Sequence, residues 1–159
     1  MPVSSSSDGS ETGDAWLGVF KSTNGGQTWQ STLLPGYPQD SSSPGFASPL
    51  KGFQAAADPV VRAGANGMFY FSGIVLNRDP NNPLGGVFVA RFIDDNNTEN
   101  GDPVAYLGTS MIDRGTAGQF DDKPRIAVAP GPRGAAPCTV NGQTFPAQNV
   151  YLAYTTSLA

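Results

Sequence analysis

The side chains of this chain with the capacity for chemistry are few, and they are mainly carboxylates. Asp58 stands directly before Pro59-Val60-Val61, and Asp121-Asp122 stand before Lys123-Pro124-Arg125-Ile126, so both acidic positions open an apolar run. A carboxylate in such a place serves as general acid or base where desolvation lifts its pKa. The competing role is a turn cap ahead of a proline. Much of the usual catalytic repertoire is missing. The 159 residues contain no histidine, which excludes Ser-His-Asp and Cys-His nucleophilic catalysis, His-ligated zinc and imidazole proton transfer. The single cysteine, Cys138, forms neither an internal disulfide nor a Cys-rich metal site. Asp94–Asp102 is acidic and rich in Asn, yet it lacks the residue order and terminal Glu of a calcium loop. No cofactor and no metal site are read from the sequence.

Charge and hydropathy narrow the partners. The formal charge is −4, and the 9 Lys and Arg residues are scattered singly, so no basic face for nucleic acid emerges. No apolar run approaches the roughly 20 residues of a membrane span. Residues 1–13 form a Ser-rich lead-in, read as flexible, without the charged and apolar regions of a signal peptide.

The elements that must position these residues are short strands. Gly (20) and Pro (14) are abundant and strong helix formers are scarce, which excludes a helical bundle. Apolar, β-leaning runs occupy Ala15–Ser22, Thr28–Leu34, Pro59–Ala63, Met68–Leu76, Val87–Ile93, Val104–Ile112, Pro124–Ala129 and Val150–Thr155. That makes eight expected strands and no convincing helix. Tyr37–Gly52, Asn77–Gly86 and the Pro/Gly stretch around Cys138 read as loops, and Asn66-Gly67 is a strong hairpin turn. The runs also repeat. Pro59–Ala63 resembles Pro124–Val128, Phe69-Tyr70-Phe71 resembles Val150-Tyr151-Leu152, and Val19-Phe20-Lys21 resembles Val89-Ala90-Arg91. A recurring four-strand antiparallel unit is the pattern of a propeller blade.

Between the first two runs lies Ser22-Thr23-Asn24-Gly25-Gly26-Gln27-Thr28-Trp29. Ser22 and Asn24 are placed to bond backbone N–H groups within the turn. Gly26 supplies a positive φ, and Trp29 is expected to fold back on the neighbouring strands as an apolar anchor. This string resembles the Asp-box, or BNR repeat, of sialidase-like β-propellers, with Asn24 in the acidic position. The flanking DAWLGVFKS, DPVVRAGANGMFYFSG and FDDKPRIAVAP segments resemble bacterial members of that superfamily. The resemblance implies an all-β chain of four-stranded antiparallel blades: a half blade at 14–36, a full blade at 58–113 and a half blade at 122–157, within a partial propeller spanning 14–159. It also implies an extracellular or periplasmic location.

In such propellers the Asp-box is structural, so Ser22, Asn24, Gly26, Thr28 and Trp29 are expected to hold a turn. The opposite face, which carries ligand in sialidases, receives Asp58, Asp122 and the Arg78 loop. By resemblance Asp58 and Asp122 are the catalytic candidates, and Arg62, Arg78 and Arg125 are candidates for clamping an anionic sugar. The Arg-Ile-Pro motif is replaced by Arg125-Ile126-Ala127, and Glu11 and Glu99 fall outside the expected channel. Three functions stand side by side: part of an exo-α-sialidase that cleaves terminal sugars, a non-catalytic propeller segment that binds glycan or protein or serves as scaffold, and a structural piece completed by assembly. Closed propellers need about four to eight blades. The remaining blades would come from a longer parent chain or from self-association.

Overall fold

The computed structural model describes residues 15–78, 84–94, 104–115, 119–140 and 142–158. The lead-in, Glu11, Glu99, Asp79 and most of Asp94–Asp102 lie outside them. Among the described residues ten strands and one short helix follow in order: β1 Gly18–Lys21, β2 Gln30–Leu33, α1 Ser43–Ala47, β3 Ala55–Ala63, β4 Met68–Leu76, β5 Gly85–Ile93, β6 Ala105–Gly115, β7 Gln119–Pro130, β8 Cys138–Val140, β9 Gln143–Phe145 and β10 Gln148–Leu158. The chain is all-β, and every sheet is antiparallel: β1–β2, the meander β3–β4–β5–β6, β7–β10, and the small hairpin β8–β9.

The β3–β4 turn shows why the meander forms. Asn66 and Gly67 both take positive φ, 55° and 78°, and close the four-residue connection from Gly64 to Gly67, where Gly64 N donates to Met68 O at 2.7 Å. A Cβ on residue 67 would sit 2.5 Å from the carbonyl oxygen of Asp94, so only Gly fits beneath the end of β5. The strand that follows, MFYFSGIVL, is aromatic and β-branched on both faces, because both faces are covered. On one face Phe71, Val75, Phe88 and Phe92 pack under Leu17, Leu34, Leu50 and Phe53. Phe71 meets Phe88 in an offset stack at 6.5 Å and Phe92 edge-on at 6.3 Å. On the other face Met68 and Ile93 pack with Phe145 beneath the β8–β9 hairpin. There Tyr70 Oη donates to Gln148 of β10 at 3.3 Å, and β7 runs beside β3, β4 and β5. The meander is therefore enclosed between the β1–β2 side and the β7–β10 side. Among the described residues, no strand pairs with the outer edge of β10.

Three expectations are corrected. The Cys138 stretch is not a plain loop, since β8 and β9 pair across it. The Tyr37–Gly52 loop holds α1, five residues long, with Ser42 as N-cap and Pro44 in its first turn. β3 and β7 begin upstream of their prolines, at Ala55 and Gln119, because a bulge lets each strand run through an X-Pro step. Lys21 Nζ and Asp94 Oδ1, 2.8 Å apart and partly buried, tie the first hairpin to the end of β5.

Candidate functional site

The two bulges build the candidate site. At the register shift of β3 stands Asp58, with φ 52°, followed by Pro59; at that of β7 stands Lys123, with φ 54°, followed by Pro124. Left-handed backbone at non-glycine residues is uncommon, and its recurrence at matching positions of two strands marks one device used twice. It turns the two side chains toward each other: Lys123 Nζ lies 3.1 Å from Asp58 Oδ2 and 3.5 Å from Asp122 Oδ1. Asp122 Oδ1 also accepts the backbone N–H of Lys123 at 2.7 Å. Partial burial pulls the Asp122 carboxyl upward, but the Lys123 N–H and the Lys123 charge outweigh that and hold it below the usual carboxylate range. Lys123 is in turn pushed up, first by its hydrogen bond to Asp58 and then by the charges of both aspartates.

The structure thus brings Asp58 and Asp122 together, with Lys123 between them. Two of the three arginines turn to their own backbone. Arg62 Nη1 donates to the carbonyl of Val61 at 2.9 Å, and Arg125 Nη1 to that of Pro124 at 3.1 Å, so each guanidinium folds onto its own strand. Arg78 lies at the end of the meander where β3 begins and β4 leaves, its backbone N–H bonded to Gln54 Oε1 at 2.8 Å.

The Ser22–Trp29 turn is held by its own side chains. Ser22 Oγ accepts from Gly26 N at 2.8 Å, Asn24 Oδ1 accepts from Thr28 N at 2.9 Å, and Asn24 Nδ2 donates to Thr28 Oγ1 at 2.9 Å. Gly26 takes a φ of 90°. Trp29 departs from expectation. It is 61% exposed, and its Nε1 donates to Gly26 O at 3.1 Å, so the ring closes on the turn itself rather than anchoring in the strands.

A further cluster escaped sequence reasoning, because its members come from three strands with no shared motif. Tyr154 Oη on β10 donates to Asp113 Oδ2 on β6 at 2.7 Å. Asp121 on β7, 2% exposed, accepts from Thr156 Oγ1 at 2.8 Å, while its Oδ2 has no hydrogen-bond partner. Consecutive aspartates thus part company, Asp122 toward Lys123 and Asp121 inward beside Gly115. The hydrogen bond to Asp113, then burial and the charges of Asp113 and Asp121, push Tyr154 up to about 12. A phenol ordinarily ionises near 10, so the pair's stabilisation is complete below about pH 10 and is lost as pH rises toward the folded value. In an ultraviolet titration, Asp113→Asn is expected to bring Tyr154 back toward the ordinary phenol; an unchanged midpoint would assign the shift to burial instead.

Among the described residues, no helix is long and apolar enough to cross a membrane, and no group of three or more acidic, His or Cys side chains is arranged to hold a metal ion. No protein-family model matches the chain, and neither a curated protein nor a solved structure matches it.

Proposed function

We propose that this chain is two blade-equivalents of a sialidase-like β-propeller, a scaffold and binding segment for glycan or protein that does not catalyse on its own. The observation that carries the reading is the sheet plan. Antiparallel sheets of two, four and two strands succeed one another, the middle one covered on both faces by its neighbours. In this reading β1–β2 are the last two strands of one blade, β3–β6 a whole blade, and β7 with β10 the first two strands of the next. The hairpin β8–β9 is then an insertion. The paired X-Pro bulges support it, since repeated units repeat their irregularities. The edge of β10 that is open among the described residues is where the third and fourth strands of that blade would pair, supplied by a longer parent chain or by another copy.

The acidic pair is assigned to a clasp between adjacent blades. A general acid must carry a proton at the working pH, and Asp122 is held ionised by Lys123 and the hydrogen bonds around it. Incubated with a fluorogenic sialoside between about pH 4 and 8, where carboxylate acids operate, the purified chain is expected to release no fluorophore above buffer. Turnover that disappears in both Asp58→Ala and Asp122→Ala would overturn this assignment. It would establish the second reading, part of an exo-α-sialidase, which the meeting of Asp58 and Asp122 favours.

A further inference from the structure

A cavity of about 320 Å³ lies where β2 and the segment after it face β5 and β6. That size is at the lower end of small-ligand sites, which run from roughly 300 to 1,000 Å³. Its walls are rings and apolar surfaces: Tyr37 and Pro44 from the loop, Phe92 and Tyr106 from the meander, with Leu33 beside them. These walls are preset. Phe92 and Tyr106 meet edge-on at 5.4 Å, and Tyr106 Oη donates to Thr109 Oγ1 at 2.8 Å. Besides the two tyrosine hydroxyls, the polar side chains among the described residues that line it are Thr32, Asp40 and Ser42.

The charge of these walls decides what enters. Among the described residues no Lys or Arg lines the cavity, so an anion would face Asp40 without a countercharge and lose its hydration. Asp40 is 4% exposed, and although burial raises its carboxyl, the bonds from Ser42 and Gly36 and the Lys51 charge hold it below the usual range. A cation gains little, because the Lys51 ammonium already offsets that charge. Its Nζ is fixed outside the cavity by the carbonyl oxygens of Tyr37, Pro38 and Asp40 at 3.2, 3.0 and 2.7 Å. The occupant left by elimination is neutral. Asp40 Oδ1 is taken by the N–H and hydroxyl of Ser42 at 2.9 and 2.6 Å, whereas Oδ2 accepts only the Gly36 N–H at 2.8 Å and keeps a lone pair for a donor.

We infer that this cavity is a binding site for a neutral, hydroxyl-bearing ring of hexose size, its C–H face against Tyr37 and Tyr106 and its hydroxyls on Asp40 Oδ2, Ser42 and Thr32. The site is separate from the Asp58–Lys123–Asp122 clasp and stands whether or not the sheets belong to a propeller. Titration of the ¹⁵N-labelled chain with glucose, galactose or N-acetylglucosamine is expected to shift the amide signals of Tyr37, Ser42 and Tyr106 saturably for at least one sugar. Choline and N-acetylneuraminic acid, cationic and anionic probes, are expected to leave them in place. Tyr37→Ala is expected to weaken binding by at least about tenfold. Thr32→Val, nearly the same shape and compatible with a strand, gives a several-fold loss if the first variant does not fold. Saturable shifts from a charged probe, no response to any neutral sugar, or undiminished binding in a folded variant overturns the inference.

Discussion

Phe88→Ala is expected to destabilise the chain by about 3–5 kcal/mol, the range for deleting a fully buried ring. Phe88 is 0% exposed and lies at the centre of the covered face, stacked on Phe71. It also sits close under residue 73, where a Cβ would meet Phe88 Cζ at 3.1 Å and Leu17 Cδ1 at 2.8 Å. Relaxation into the resulting void is resisted from both sides: the sheet below is hydrogen-bonded on each edge of β5, and Leu17 and Phe53 close from above. Against a total stability of roughly 5–15 kcal/mol for an ordinary domain, the loss is a large fraction. A urea titration is expected to show a lower midpoint with an unchanged slope. A loss below about 1 kcal/mol would mean that the contact between the meander and the β1–β2 side is not the core of this chain.

Gly45→Ala is the second large effect, and helix propensity alone would predict the opposite sign. Alanine in a helix interior is favoured over glycine by about 1 kcal/mol. A Cβ at residue 45, however, would fall within the Asp40 carboxylate itself. That carboxylate joins the loop to α1, accepting from Gly36 N, Ser42 N and Ser42 Oγ, and displacing it strands a buried charge. Removing partners from such a group costs about 3 kcal/mol or more, so destabilisation wins. Thermal unfolding is expected to fall, and binding of the neutral ring is lost with it, since Asp40 lines that cavity. A stabilised variant would show that the loop yields at no cost.

The sequence made the strands legible where apolar runs were long, and illegible where they were short or broken by proline. Met68–Leu76 is recovered to the residue, because a nine-residue run in which five positions are aromatic or β-branched, behind an Asn-Gly turn, admits little else. β8 and β9 have three residues each, too few for a periodic signal. The Asn141-Gly142 dipeptide between them was the sign of a hairpin, and Gly142 indeed takes a φ of 79°. Asp58-Pro59 and Lys123-Pro124 read as strand beginnings, since proline removes a ladder donor. The strands instead pass through them by placing Asp58 and Lys123 in left-handed backbone, which no composition reveals. Asp58 and Asp122 were legible as candidates, but Lys123 as their countercharge was not, because the pairing depends on two bulges meeting across different sheets. The exposure of Trp29 was hidden for a similar reason: a turn motif fixes its own hydrogen bonds, not what covers it.

The meander pairs each strand with its nearest neighbour in sequence, and this orders events in time. β3–β4 closes across the four residues from Gly64 to Gly67, and β4–β5 across a short connection, so little loop entropy opposes their first contacts. β7 must wait for β10, with the whole β8–β9 hairpin between them. The middle sheet is therefore the natural nucleus and the flanking pairs its late additions. In native-state hydrogen exchange the same order reverses, with β10 amides opening first and those of β4 and β5 last.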